Sequence, residues 1–261
     1  MSRVPAEPGA AEAALARAAA AGPYFALLIW PPGARPPAGP WRPLAELVSG
    51  PGVAAERAGH ARRVLAQRAG AGIAAVAERV AASAVFLGLA SQLVSPLLGA
   101  AVLGGVVPEL SVADLWWQPA DSGPWPLAAR PAGGTAVGEL AAAGQLRDAA
   151  AVLADGIRRL TAPLEAAFGD QFRLSPRVLR GNVASAVAGA GAVLASAFPQ
   201  RAGAAGQLAG EVLALGPLRG AGRFVPDGPG RRFVRRSCCL YYRVPGAGLC
   251  GDCVLTRTPP R

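Results

Sequence analysis

The sequence predicts a mainly α protein of the α+β kind: a helical body with a few short strands and an irregular, cysteine-rich C-terminal segment. Two observations predict it. Alanine- and leucine-rich stretches with helical character recur as far as Leu215, and 52% of the chain is hydrophobic, which allows a substantial core. Beyond Leu215 the character changes, as Gly216, Pro217, Gly220, Gly222, Pro226, Gly228, Pro229 and Gly230 break the chain and all four cysteines follow. The helical body is therefore set at 1–222 and the C-terminal segment at 223–261.

Within the body, 7–21 reads as a short helix ended by Gly22-Pro23, and 24–30 has the length and composition of a buried strand stopped by Pro31 and Pro32. The stretch to Gly52 is proline-rich and turn-like; a helix resumes over 53–69. Helix continues from Ile73 to about Val94, where Ser95-Pro96 predicts a break and a fresh start through Leu103. The tryptophan-rich segments 114–118 and 125–128 predict a small hairpin or two extended edges. Leucine spacing over 135–168 suits one long helix, or two meeting near Pro163. Ser175 and Pro176 mark a helix start, with the helix running to about Ala197, and its many small residues let another backbone pack closely. A last helix is predicted over 204–215.

All 26 basic side chains are arginine; with 16 acids they leave a formal net charge of +10. Nine of them, Arg219, Arg223, Arg231, Arg232, Arg235, Arg236, Arg243, Arg257 and Arg261, fall after Gly216, where the only acids are Asp227 and Asp252. No helix-turn-helix pattern or aromatic-interleaved basic module accompanies them, so no nucleic-acid partner is expected, and the charge reads as a counter-charge to something anionic nearby. The N-terminal stretch lacks the apolar core of a secretory signal. A cytoplasmic setting is expected, which keeps cysteines reduced. The uncharged run from Ala81 to Val107 is long enough to span a bilayer. Ser83, Ser91, Gln92 and Ser95 punctuate it, Pro96 and Gly104-Gly105 interrupt it, and no basic cluster flanks it, so it reads as core, with peripheral membrane contact left open.

The cysteines Cys238, Cys239, Cys250 and Cys253 are spaced C-C-x10-C-x2-C. Four soft thiolate donors in so short a span point to one metal or iron–sulfur centre. Adjacent cysteines have Cα atoms only about 3.8 Å apart, an unusual half-site for tetrahedral zinc, which favours pairs two to four residues apart. A two-iron cluster relaxes the constraint if the adjacent thiolates go to different irons. Zinc, and a vicinal disulfide or redox pair, remain alternatives on these residues alone. Pro245, Gly246, Gly248 and Gly251 give the intervening loop its turns.

The segments Arg236-Ser237-Cys238-Cys239-Leu240-Tyr241-Tyr242-Arg243 and Leu249-Cys250-Gly251-Asp252-Cys253 closely resemble the C-terminal signature of FhuF-like ferric-siderophore reductases. The stretch from Leu174 to Ala186, with Gly181-Asn182-Val183-Ala184-Ser185-Ala186, is similar to the family's Leu-x-Gly-Asn-x-Ala-Ser-Ala helix, although a tryptophan is common where Arg180 stands. The resemblance implies a cytoplasmic [2Fe-2S] oxidoreductase whose four cysteines carry an electron to Fe(III) in an imported siderophore of the hydroxamate type. A zinc-stabilised or redox-sensing binding protein, or a general electron carrier without siderophore turnover, is the alternative. There is no Gly-rich dinucleotide fingerprint between a strand and a helix, so electrons are expected from a separate, acidic donor protein such as a ferredoxin. Trp116, Trp117 and Trp125 read as core before chelate contacts, and Arg235, Arg236 and Arg243 as counter-charge to the centre. His60 reads as solvated, Asn182 as a brace for the cysteine segment or a packing residue, and Tyr241 and Tyr242 as a shield for the centre.

Overall fold

A computed structural model of the chain describes residues 4–30, 39–50, 52–121, 123–138, 143–228 and 230–255. Pro31, Pro32, Leu140, Pro229, Arg257 and Arg261 lie outside them.

The helices are α1 (Ala10–Ala19), α2 (Glu46–Ser49), α3 (Val53–Arg68), α4 (Glu78–Gly104), α5 (Ala143–Phe172), α6 (Pro176–Ala197) and α7 (Ala202–Leu213). The strands β1 (Leu28–Ile29), β2 (Arg42–Pro43), β3 (Val106–Pro108), β4 (Leu115–Trp117), β5 (Leu127–Ala129), β6 (Gly134–Ala136), β7 (Gly222–Asp227) and β8 (Gly230–Arg235) are short. The architecture is thus mainly helical, as the sequence predicts.

Helix α4 is the hub, packing against α1, α3, α5 and α6. It is apolar nearly all round, and such a helix is stable only when enclosed. Helices α4 and α6 are both long and apolar enough to cross a membrane, yet 78% and 72% of their most apolar stretches are buried inside the fold. Ser83, Ser91 and Gln92 of α4 are hydrogen-bonded within the protein. Gln92 clamps the Trp125 backbone, its Nε2 donating to the carbonyl at 2.5 Å and its Oε1 accepting from the N–H at 3.0 Å. Close packing of small residues recurs at the α6–α7 contact, where a Cβ on Gly191 would come within 2.9 Å of Ala209 Cβ.

Several local expectations are corrected. Pro96 does not divide α4 but lies inside a continuous helix, and of the two alternatives for Pro163 the single long helix, α5, is the one present. An interior proline costs roughly 3 kcal/mol, and burial of Val94, Leu97 and Leu98 around Pro96 offsets it. The expected strand over 24–30 is only β1, because Pro23 opens a 3-10 turn over Pro23–Phe25 that sends Phe25 into the core. The turn-like stretch before Gly52 holds β2 and α2. β6 occupies the start of what reads as the long helix.

The sheets are small. β1, β5, β4 and β2 form one in that order, with β1 and β5 parallel and the other pairs antiparallel; β3 pairs with β6. The hairpin expected from the tryptophan-rich segments is present as β4–β5, with Trp116 opposite Ala128. A second hairpin, β7–β8, was not expected. It closes through Gly228 at φ +55, a left-handed turn that suits glycine. Phe233 of β8 belongs to the main core, so the hairpin ties the C-terminal segment to the helices.

Candidate metal centre

The cysteine segment leaves the end of β8 and is held by one buried polar chain. Arg235, the last residue of β8, is 1% exposed, and Asn182 of α6 is fully buried. Arg235 Nη2 donates to Asn182 Oδ1 at 2.6 Å and to the Val178 carbonyl at 3.2 Å. Asn182 Nδ2 in turn donates to the carbonyl and hydroxyl of Ser83 in α4, at 3.1 and 3.2 Å. The Ser83 hydroxyl donates to the Cys239 carbonyl at 2.9 Å. Helix α6, helix α4, strand β8 and the first cysteine pair are thereby joined. Asn182 is accordingly a brace for the segment, and Ser83, read from sequence only as a polar interruption of α4, belongs to the same support.

Gly181 explains why glycine precedes that asparagine. A Cβ there would run into the Ser237 hydroxyl and stand 2.8 Å from Arg235 Nη2, so the segment lies directly on the α6 backbone. The backbone completes the anchorage: Arg235 N–H donates to the Asp252 carbonyl at 3.1 Å and Arg236 N–H to the Ala221 carbonyl at 2.8 Å. Val244 packs with Ala66, Val76 and Val80, which fixes the loop between the cysteine pairs against the ends of α3 and α4.

All four cysteines are thiols. Cys239 and Cys253 are buried, Cys238 and Cys250 half-buried. Cys239 and Cys250 bring the two halves of the motif together, their sulfurs 3.4 Å apart. Each half also turns a backbone N–H onto a sulfur two residues back, Leu240 to Cys238 Sγ and Leu255 to Cys253 Sγ, both at 3.3 Å. Leu240 reaches this bond with φ +71, a left-handed conformation that is strained for leucine and characteristic of functional turns. Gly246 and Gly248, also at φ +71, bend the loop that returns to Cys250.

The electrostatics are those of an anion site. The hydrogen bond between the two sulfurs draws Cys239 down to about 6, helped by the Tyr241 N–H and the Arg235 charge against the opposing effect of burial. The same contact, with burial, pushes Cys250 up. Burial pushes Cys238 up. Burial lowers the Arg235 guanidinium, opposed by the nearby Cys239, Cys250 and Asp252, and arginine stays charged throughout. Burial likewise raises the Asp252 carboxyl, while the Ser185 hydroxyl and Arg235 pull it down.

These features fit an iron–sulfur centre. The edge of a tetrahedron with metal–sulfur bonds of about 2.3 Å is roughly 3.8 Å, close to the Cys239–Cys250 separation. Among the described residues, no group of three His, Cys, Asp or Glu side chains is already gathered as a metal site. Arg235 Nε and Ser237 Oγ are buried with no protein acceptor, so donors remain for an anionic centre.

Other residues singled out by sequence lie elsewhere. Arg236 and Arg243 are exposed, Arg243 stacking over Tyr242 at 5.7 Å, so only Arg235 is a buried counter-charge. Tyr241 lines a cavity with Cys239 and Cys250, whereas Tyr242 is 41% exposed. Trp117 is fully buried, and Arg57 sits over both Trp117 and Trp125, so this patch is mainly core. His60 is half-buried, 3.3 Å from the Asp121 carbonyl, and makes no approach to the cysteines. Tyr24, Ser185 and Asp252 also border the centre; Ser185 and Asp252 lie within the two motifs quoted from the sequence without being singled out there, and Tyr24 has no local signature.

Comparison with known families matches the FhuF 2Fe-2S C-terminal domain over residues 235–255. No curated protein matches the chain. The matched stretch begins at the buried Arg235 and includes all four cysteines. At this end the chain is FhuF-like, and its cofactor is a [2Fe-2S] cluster.

Proposed function

We propose that Cys238, Cys239, Cys250 and Cys253 ligate the [2Fe-2S] cluster and that the protein is a cytoplasmic ferric-siderophore reductase. The observation that carries this reading is the position of the Cys239–Cys250 pair. It is braced from beneath by buried Arg235 and Asn182, yet borders an open cavity. The cluster supplies a one-electron couple when bound.

The protein's own groups have three tasks. Arg235 holds a fixed positive charge behind the thiolates, which favours the more negative, reduced state of the site and so raises its potential. Asn182 and Ser83 hold the Cys239 backbone in place, limiting the rearrangement that accompanies a change of charge. Tyr241 and the loop through Val244 cover part of the centre while leaving Cys250 half-exposed.

The substrate step is the transfer of one electron to Fe(III), giving Fe(II), which hard oxygen donors hold far less tightly. No acid, base or nucleophile is required. A hydroxamate chelate suits an anionic centre, because three monoanionic hydroxamates cancel the charge of Fe(III). The electron comes from a separate acidic protein such as a ferredoxin, drawn to the arginines that follow Gly216.

The test is steady-state reduction of a ferric trihydroxamate, with the Fe(II) captured by a ferrous-specific chelator and a chemical reductant as donor. Wild-type protein is expected to turn over repeatedly, and Cys250→Ser to lose turnover together with the cluster spectrum. A wild-type protein that carries the cluster but releases no Fe(II) from any ferric chelate is an electron carrier or sensor instead.

A further inference from the structure

A cavity of about 450 Å³ opens beside the Cys239–Cys250 pair, and both cysteines form part of its wall. This exceeds what a core of two irons and two sulfides occupies, and it falls in the range of small-molecule sites, roughly 300–1,000 Å³. One wall is α4, where Ala84, Gly88 and Ser91 lie on a single face at helical spacing. These small side chains leave the space open; a Cβ built on Gly88 meets nothing within 4 Å. Tyr24 stands opposite, held at the surface by the turn over Pro23–Phe25. Its ring also borders two adjoining hollows of about 320 and 330 Å³, so three spaces meet at this side chain.

The groove also has a polar edge. Ser185 of α6 is 6% exposed and lines the same cavity beside Asp252, whose carboxyl its hydroxyl pulls down, so the two form a polar pair on a wall that is otherwise mostly apolar. Among the described residues no arginine lines this cavity; Asp252, the two tyrosines and the two cysteines are its titratable groups. The described arginines that follow Gly216 therefore lie outside it.

We propose that this groove, between Tyr24 and the Cys239–Cys250 pair and walled by Ala84, Gly88 and Ser91, is where the ferric chelate docks. The inference rests on the reductase reading and adds a place and a charge selection to it. A chelate seated there lies against the two sulfurs with no protein layer between. Its apolar carbon face meets Tyr24 and the small-residue face of α4, and a polar edge takes up the Ser185 hydroxyl. Chelates of zero net charge are accepted. Strongly anionic ones meet the thiolates and Asp252 directly, whereas Arg235, the counter-charge of these groups, stands behind them and does not line the cavity.

The test uses the full chain with its cluster and, as probe, the gallium(III) complex of a linear trihydroxamate, which has the charge of the ferric complex but cannot be reduced. Binding is measured by calorimetry for wild type, Gly88→Phe, Tyr24→Ala and the control Gly206→Phe on α7, where an added Cβ also meets nothing within 4 Å. The expected result is at least tenfold weaker binding for Gly88→Phe, weaker binding for Tyr24→Ala and no change for Gly206→Phe. Oxidation of the reduced cluster by ferricyanide, a small outer-sphere oxidant, should stay the same in all four. Wild type that does not bind the gallium complex, or Gly88→Phe that binds it as wild type does, overturns the groove. Binding that is lost in Gly88→Phe, in a protein whose reduced cluster the ferric complex fails to oxidise, upholds the groove and removes the reductase reading instead.

Discussion

Arg235 and Asn182, 53 residues apart in sequence, meet through a 2.6 Å hydrogen bond beneath the cysteine segment. Both are buried, and through Ser83 the same chain of bonds reaches the Cys239 carbonyl. A fixed cation and the support of the first cysteine pair are therefore one structure.

Removing the cation separates its two roles. Arg235→Gln takes a positive charge from behind the thiolates, and a lost attraction of about 1–2 kcal/mol at an effective dielectric near 20 corresponds to roughly 40–90 mV for one electron. The cluster midpoint potential, read by spectroelectrochemistry, is expected to fall by that amount, while Arg235→Lys keeps most of the potential. An unchanged potential in a cluster-loaded Arg235→Gln protein would show that the arginine is structural alone.

Asn182→Leu leaves the Arg235 guanidinium and Ser83 without their shared partner. Breaking one side of a buried charged network costs about 3–5 kcal/mol, so a lowered melting temperature and a reduced iron content per chain are expected. Wild-type stability and iron content would contradict the bracing role.

Gly181→Ala tests the closeness of the segment to α6. The methyl group collides with Ser237 and crowds Arg235, and overpacking of this kind costs about 1–3 kcal/mol. In an ordinary helix the same change stabilises by up to about 1 kcal/mol. Thermal melts of the cluster-free and loaded protein should both show destabilisation; a stabilised variant would mean that the segment stands off the helix.

Glu165 gives a pH signature remote from the centre. Burial raises its carboxyl above the usual range, opposed by a hydrogen bond with Thr161 and by Arg180. The folded state therefore holds the proton longer than the unfolded state. Stability from this group is complete below the ordinary carboxyl range and is lost as pH rises through the raised value. Glu165→Gln should raise the melting temperature at neutral pH and change it little near pH 4, on a scale of about 2–4 °C per kcal/mol for a chain of this size. Equal effects at both pH values would contradict the shift.

The arginine-rich end predicts a salt effect. If an acidic donor docks there, its rate of reducing the cluster falls as ionic strength rises above about 0.1 M, where charges are screened beyond about 10 Å. A rate indifferent to salt would exclude electrostatic steering.

Legibility followed the range of the interactions. Ser175 and Pro176 marked the start of α6 because capping is local; the Ser175 side chain accepts from the Val178 N–H as a cap should. The cysteines were legible because sixteen consecutive positions, 238–253, hold every one. The β7–β8 hairpin was not, since Gly222, Pro226, Gly228 and Gly230 carry the composition of a loop and the pairing is made across the turn. Pro96 inside α4 misled for a related reason, as tertiary burial outweighed a local penalty. The groove was out of reach altogether: Ser83 and Cys239 are 156 residues apart, and Tyr24 joins them only in the folded chain.

The most direct measurement is a single turnover with anaerobically purified full-length protein. Analysis should give equimolar iron and sulfide, about two of each per chain. The reduced protein, mixed with a ferric trihydroxamate, should re-oxidise as about one Fe(II) per chain is released to a ferrous trap. A reduced cluster that persists in the presence of every ferric chelate, yet is oxidised at once by ferricyanide, would contradict ferric-siderophore reduction.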